Sequence, residues 1–297
     1  MCDESAIEYR LSLVDLVRKE DWEERMDYQK YEDIARQIRQ HVIKAVYYAK
    51  SGHPGGSLSS TDILTALFFK EMNIDPENPG KEDRDMFVLS KGHGAPGLYA
   101  AMGVRGYYPV EDIYTLRKLG SHFQGHPSSY KLPVLEHSTG SLGQGFSAAV
   151  GMALGARLKG LGQRVYTILG DGELQEGLVW EAAMCAAHYK LDNICAFVDW
   201  NGLQIDGAND DVMTVRPIDE KFKAFGWNVM MINGHDFGEI FNALDKAREF
   251  KDKPTMIVAK THKGQGVSFM CDQAGWHGKA PNEEQAREAI RELGGEW

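Results

Sequence analysis

Five short apolar runs constrain the fold of this chain more than any other feature: MFVLS (Met86–Ser90), RVYTILG (Arg164–Gly170), NICAFVDW (Asn193–Trp200), GWNVMMING (Gly226–Gly234) and PTMIVAK (Pro254–Lys260). Each has the length and composition of a buried strand, and helical stretches separate them, notably Leu174 to Tyr189 and Phe237 to Phe250. Alternating strand and helix predict an α/β fold, a mostly parallel, doubly wound sheet with helices on both faces. Such sheets bind ligands outside the carboxyl ends of their strands. Upstream, Ile34, Ile38, Val42, Ala45 and Ala49 share one helical face that stops at Ser51-Gly52. A second helix is expected after SGHPGG, with Ser60 or Thr61 near its start and Ile63, Leu64, Leu67 and Phe68 as its apolar face. Residues 1–30 are densely charged and read as a helical extension, leaving 31–297 as one domain without repeats or linker-like tracts.

Charge and cysteine usage narrow the function. The formal net charge of −10 argues against a general nucleic-acid binder or a protein of anionic membranes. Any phosphate ligand must then be neutralised locally, by helix ends or a metal. Nowhere do eighteen apolar residues run together, and the first thirty residues lack the apolar core of a signal peptide. Cys2, Cys185, Cys195 and Cys271 form no CxxC pair and read as reduced thiols of a cytoplasmic protein, not as a disulfide frame or zinc site.

Two predicted strand ends carry oxygen ligands. Asp171 sits between Gly170 and Gly172 after RVYTILG, and Asn201 follows NICAFVDW. Adjacent parallel strands would place both at one rim. A carboxylate, an amide oxygen and a backbone carbonyl suit a hard cation such as Mg²⁺ or Ca²⁺, with phosphate supplying further ligands. Glycines beside Asp171 admit a close backbone approach, and a helix starting near Leu174 would turn its positive end to an anion. Alone, GDG is more often an ordinary strand-to-helix turn; its pairing with Asn201 describes a metal–diphosphate site.

Four of the ten histidines sit next to glycine or proline in predicted loops near the sequence motifs: His53 in SGHPGG, His93 in SKGHG, His126 in GHP and His277 in WHGKAP. One such histidine is usually a solvated surface residue. Together, near a diphosphate signature, they suit hydrogen bonding to sugar hydroxyls and phosphates and proton transfer near neutral pH. His122 and His126 are spaced like a zinc pair, but Gly125 and Pro127 oppose a helix there and no HExxH frame exists.

The spacing from GDG to Asn201 matches the thiamine diphosphate signature, with Trp200 where many such proteins have a first asparagine. AKSGHPGGSLSSTDIL, RDMFVLSKGHGAPGLYA, GHPSS, STGSLGQGFSAAVGMALG, the GDG-to-Asn stretch and WHGKAPN, in this order from Tyr31 to Asn282, closely resemble transketolase, specifically the amino-terminal subunit of split transketolases. That resemblance implies that Asp171, Asn201 and the Leu203 carbonyl hold the metal. It implies that Gly172, Gly140, Ser141 and Leu142 line thiamine diphosphate, with His93 and His277 near its diphosphate. His53, His126 and His277 would face the sugar, and Glu176, placed in the helix after GDG, would stand at the subunit contact between paired cofactors. The run SLGQGFSAAVGMALGARL is expected to pack closely, against cofactor or another helix, because Gly143, Gly145, Gly151 and Gly155 interrupt it and each glycine inside a helix costs about 0.8–1 kcal/mol relative to alanine.

In transketolases, a glutamate on a separate pyrimidine-binding domain activates the cofactor, and no residue here is assigned that role. The resemblance therefore implies a carboxy-terminal partner subunit carrying that domain, an α2β2 assembly, and transfer of a two-carbon ketol unit between sugars or sugar phosphates. Two other readings share parts of the pattern. One is a different thiamine enzyme, a 2-oxo acid dehydrogenase α subunit or a deoxyxylulose-phosphate synthase; the other is a binding subunit without turnover. SGHPGG, GHP and WHGKAP together favour transketolase over the first, and intact Asp171, Asn201 and His277 oppose the second.

Overall fold

The structure, a computed structural model, describes residues 28–297; residues 1–27, most of the expected extension, lie outside the described residues. The chain runs through α1 (residues 28–49), α2 (Pro54–Ser59) and α3 (Thr61–Ala66), the last continuing into a π-helical turn at Leu67–Glu71. Strand β1 (Met86–Leu89), a 3-10 turn at Gly92–Gly94, α4 (Ala95–Arg105), a 3-10 turn at Val110–Thr115 and α5 (Gln144–Lys159) follow. Next come β2 (Val165–Gly170), a 3-10 turn at Gly172–Gln175, α6 (Gly177–His188), β3 (Ile194–Trp200), and a small hairpin of β4 (Leu203–Gln204) and β5 (Gly207–Ala208). The remainder is α7 (Asn209–Val212), α8 (Ile218–Ala224), β6 (Asn228–Asn233), α9 (Phe237–Glu249), β7 (Thr255–Lys260), a 3-10 turn at Ala274–Trp276 and α10 (Glu283–Glu292).

The five main strands form one parallel sheet in the order β1-β2-β3-β7-β6, matching the five apolar runs. Alternation along the strands builds two cores. Phe87, Leu89, Tyr166, Ile168, Phe197 and Ile257 join one apolar cluster with residues of α1, α3, α4, α9 and α10. Val88, Val165, Leu169, Ile194, Val198 and Val258 join the other with α5, α6 and α8. Both faces are therefore covered, as the unbroken apolar strands require. After β3 the chain jumps to the outer β6 and returns to β7, so the strand order reverses beside β3. That is where sheets of this kind open a ligand crevice.

Several local expectations change. The second half of SGHPGG belongs to a helix: α2 starts at Pro54, whose fixed φ suits a first turn, and Ser60 breaks it from α3. After GDG the expected single helix is two pieces. The 3-10 turn ends at Gln175, Glu176 is extended, and α6 starts at Gly177. Glu176 is thus the N-cap of that helix, not part of it. The glycines of α5 also divide. A Cβ on Gly145 would lie 2.7 Å from the Ser90 Cα, whereas at Gly151 and Gly155 nothing stands within 4 Å, so close packing within this chain holds only at the helix start. Residues 28–30 form the first described turn of α1, continuous with the domain.

Beside the carboxyl ends of β6 and β7, Arg39 on α1 and Asp62 on α3 form a buried bidentate pair at 3.0 and 2.6 Å, and His235 Nδ1 lies 2.6 Å from the same carboxylate. Burial works to raise Asp62, but Arg39 and His235 hold it below the ordinary carboxylate range. Asp62→Asn leaves Arg39 buried opposite a neutral amide, so the expected loss of stability is about 3–5 kcal/mol. A shifted denaturant midpoint checks this; a loss under about 1 kcal/mol, the range of exposed pairs, contradicts it.

Candidate active site

A cavity of about 310 Å³ opens across the carboxyl ends of β1, β2, β3 and β7. Its floor is knotted by Asp199, the penultimate residue of β3 and fully buried. The Asp199 carboxylate pairs with Lys91 Nζ at 2.5 Å and accepts hydrogen bonds from Ser59 Oγ at 2.6 Å and from Thr261 Oγ1. Lys91 Nζ also donates to the Gly56 carbonyl. Burial works to raise Asp199; Lys91, with the Ser59 and Thr261 hydroxyls, more than reverses it, so the group stays ionised. The loop after β1, helix α2 and the loop after β7 are thereby tied to the centre of the sheet.

On the acidic wall, Asp171 follows β2 and Asn201 follows β3, and the pairing of Gly170 with Asp199 brings both to one rim. Asp171 Oδ1 accepts from the Gly172 N–H at 2.8 Å and Oδ2 from the Gly202 N–H at 2.5 Å. Asn201 Oδ1 accepts from the Leu203 N–H at 3.1 Å. Burial raises Asp171, the Gly202 bond opposes it, and the nearby Asp199 adds to the rise. A buried carboxylate beside an amide oxygen is a donor set that fits a divalent cation. Glu173, also buried, holds the surrounding turns. Ser90 donates to it, and it accepts from the Gly143 N–H at 2.8 Å and the Gly170 N–H at 2.9 Å.

The opposite wall carries imidazoles and cations. His53 caps α2, His93 lies in the turn after β1, His126 in the loop before α5, and His277 directly after the last 3-10 turn. The His53 ring centroid is 5.5 Å from His93, 6.0 Å from His126 and 5.5 Å from His277; His93 and His277 stack at 5.0 Å. All four are pushed below the ordinary imidazole value. Burial and then Arg117 bring His53 to about 4, and burial and then Lys263 bring His277 to about 3. Burial and then Lys91 hold His93 well below 6.5, and burial and Arg117 lower His126. Lys263, 2% exposed, has its Nζ 3.3 Å from His277 Nδ1, and burial lowers it to about 8.

Of the residues expected at a site, the cavity brings together His53, His93, His126, His277, Gly140 and Leu142. Asp171, Gly172, Glu176 and Asn201 line it too. Ser141 and Leu203 fall outside its wall, each one residue from a lining position. Sequence reasoning missed Lys91, Glu173, Asp199 and Lys263. A charged residue inside NICAFVDW was the available signal for Asp199, and Lys91 and Lys263 follow two of the same strand ends. The rejected zinc pair stays apart: His122 Nδ1 bonds the Lys131 carbonyl at 2.7 Å while His126 faces the cavity. Away from the cavity, His262, Cys271 and Asp272 bring potential ligand atoms within 4.8 Å, which qualifies the expectation for Cys271, although His262 and Asp272 already satisfy each other at 2.9 Å. The described cysteines are free, and among the described residues no helix is long and apolar enough to cross a membrane.

Comparison with known proteins is consistent with this geometry. The family described as "Transketolase, thiamine diphosphate binding domain" matches residues 30–296. A 6-deoxy-6-sulfo-D-fructose transketolase subunit of a Clostridium species is 44% identical over 87% of this chain and 94% of that protein. An apulose-4-phosphate transketolase subunit of Actinobacillus succinogenes is 38% identical over 90% and 97%, respectively. Among solved structures, transketolase from Campylobacter jejuni superposes with a TM-score of 0.84 at 34% identity, over 90% of this chain and 43% of that one. The chain thus spans less than half the length of that solved transketolase.

Two outcomes follow from these electrostatics. Asp199→Asn strands the Lys91 ammonium in the interior, with an expected loss of about 3–5 kcal/mol in denaturant unfolding. For the histidines, the folded values of about 4 for His53 and about 3 for His277 lie below the free value of 6.5. The unfolded chain therefore binds more protons below pH 6.5, so their contribution makes stability rise with pH up to that value and fall as acid is added. Replacing His277 by Gln should flatten the midpoint-versus-pH curve between pH 4 and 6.5; an unchanged slope contradicts the assignment.

Proposed function

The chain belongs to the transketolase family, as a thiamine diphosphate-binding subunit of the split kind, and we propose that its cavity holds the cofactor with Mg²⁺ (or Ca²⁺) and completes a ketol-transferring site with a partner subunit. One observation carries this reading: the two walls of the cavity are complementary to the two halves of a metal–diphosphate. Asp171 and Asn201, with the Leu203 carbonyl, would take the cation. The rim formed by His93, His277 and Lys263 would take the phosphates. Gly172, Gly140, Ser141 and Leu142 would flank the rest of the cofactor. When bound, thiamine diphosphate supplies the electron sink that stores the two-carbon fragment between cleavage and transfer.

The chain's own residues then have distinct tasks. A cation beside Asp171 offsets the burial and the Asp199 charge that raise it, so the carboxylate is held ionised. A diphosphate beside Lys263 would favour its ammonium, opposing the burial that lowers this lysine to about 8. His53, His126 and His277 face the sugar side; neutral imidazoles donate to or accept from hydroxyl oxygens and pass protons. Lys91 is committed to Asp199 and Gly56 and keeps the floor rigid.

Among the described residues that line the cavity, neither glutamate is suited to activating the aminopyrimidine, which supports a partner that supplies one. Glu173 is fully committed to Ser90, Gly143 and Gly170 beneath the turns, and Glu176 is exposed at the rim. Glu176 is placed to meet a neighbouring subunit, and Ile205 beside the same cavity is 69% exposed, an apolar edge for that subunit to cover. The partner carries the pyrimidine-binding domain and its glutamate, the closed assembly is α2β2, and the substrates are a ketose and an aldose or their phosphates. The excess of acidic residues speaks against nucleic-acid and anionic-membrane partners, and free cysteines accord with a cytoplasmic setting.

The test is ketol transfer by this chain alone and with the partner subunit, each with Mg²⁺ and thiamine diphosphate. Transfer only with the partner, abolished by EDTA and restored by Mg²⁺, is the expected result. Robust transfer by the chain alone overturns the two-subunit reading. Asp171→Asn should weaken thiamine diphosphate binding more than about 10-fold, since even outer partners of a metal ligand contribute that much; titration by calorimetry reads it directly.

A further inference from the structure

Arg117 stands beside this cavity with no role in holding cofactor or metal. Its backbone is left-handed, φ 60°, a conformation that arginine adopts at a cost, and its N–H donates to the Phe123 carbonyl at 2.8 Å. The turn aims the side chain back at the cavity rim. Nη1 donates to Ser51 Oγ at 2.7 Å and Nη2 approaches His53 Nδ1 at 3.4 Å. A Cβ on Gly125 would lie 2.5 Å from Arg117 Nε, so the glycine before His126 is what lets the guanidinium lie there. Among the described residues Arg117 forms no ion pair with a carboxylate. A cation is therefore held by a strained turn against His53, with no acid among the described residues to explain it.

Guanidinium hydrogen-bond chemistry decides what this contact does. Arginine has five N–H donors, no acceptor, and keeps its charge at every working pH. Facing it, His53 Nδ1 must be the acceptor, which leaves the ring proton on Nε2. That nitrogen lies on the far edge of the ring, toward Gly278 beside His277. We infer that Arg117 is a positioning residue that sets the tautomer of His53, so that His53 presents an Nε2–H donor to a substrate oxygen. Lys263 stands in the same relation to His277 Nδ1, but as a lysine lowered to about 8 it loses its charge where Arg117 does not. The charges facing His53 point the same way: Arg117, His126 and Lys263 each oppose its protonation, and His93 and His277 are the other rings against it.

The inference rests on the sugar-facing role proposed for His53, yet its first test is independent of activity. In the full chain labelled with ¹⁵N-histidine, long-range ¹H–¹⁵N spectra at pH 7 report which ring nitrogen of His53 carries the proton, with His53→Gln giving the assignment. The expected result is a protonated Nε2 in the wild type, a mixture of tautomers in Arg117→Met, and recovery toward the wild-type pattern in Arg117→Lys. A wild-type His53 protonated on Nδ1, or a tautomer unchanged in Arg117→Met, overturns the proposal. With the partner subunit, Arg117→Met should lower kcat/KM for ketol transfer about 10-fold, the scale of one lost hydrogen bond. Thiamine diphosphate affinity should stay unchanged, and the acidic limb of the pH profile should move upward toward the ordinary imidazole value. Reduced cofactor affinity with an unmoved profile would mark a merely structural role and also overturns it. If the tautomer follows Arg117 but the wild-type pair transfers no ketol group, the function fails and this inference stands.

Discussion

The Lys91–Asp199 ion pair is the contact on which the rest of the site depends. A fully buried carboxylate at the centre of a parallel sheet is costly unless it is both paired and hydrogen-bonded. Here it has a cation and two hydroxyl donors, each from a different segment. Their convergence registers the loop after β1, helix α2 and the loop after β7 against the end of β3. His53 and His93 sit on two of those segments, and His277 is reached through Lys263 on the third. A single charge pair thus sets the relative placement of histidines drawn from distant parts of the sequence.

That pair also shapes the electrostatics above it. Asp199 raises the neighbouring Asp171, and Lys91 contributes to lowering His93, His277 and Lys263. Each wall of the cavity is accordingly displaced away from its charged form. The acidic wall gains from a cation and the basic wall from an anion, so a metal–diphosphate relieves both at once. Either ion alone relieves one. This physical coupling is why metal and diphosphate belong together in the reading of the site, without appeal to resemblance.

The sheet was legible in the sequence because both of its faces are buried. Strands covered on two sides are continuously apolar, as in β1, β2, β3 and β7, and these runs stand out against charged helices such as α9 and α10, whereas the edge strand β6 is only partly buried and leaves Met231 exposed. What did not show was where the helices begin. Pro54 opens α2 one residue after His53, a position that the pattern SGHPGG disguises as a turn, and the extended Glu176 splits an apolar stretch whose periodicity runs through it. Both departures occur at the cavity rim, where backbone geometry serves the ligand side and overrides helical pattern.

At the site, legibility followed chemistry that is local in the chain. Asp171 and Asn201 follow consecutive strands, and adjacent parallel strands bring consecutive ends together. The histidines were conspicuous through their glycine and proline neighbours, but their mutual contacts were not, because His53 and His277 meet only after the sheet has closed. Lys91, Glu173 and Lys263 were hidden for the opposite reason: each lies where a solvated charge is the ordinary reading, and only burial reveals that it is paired, whereas Asp199 was signalled by its place inside an apolar run. Arg117 is the extreme case. It lies in an exposed turn between Leu116 and Lys118, and its one informative property, a left-handed backbone, belongs to a residue type that carries no signal for it. Residues that hold ligands are read from what they are; residues that hold those residues are read from what they touch.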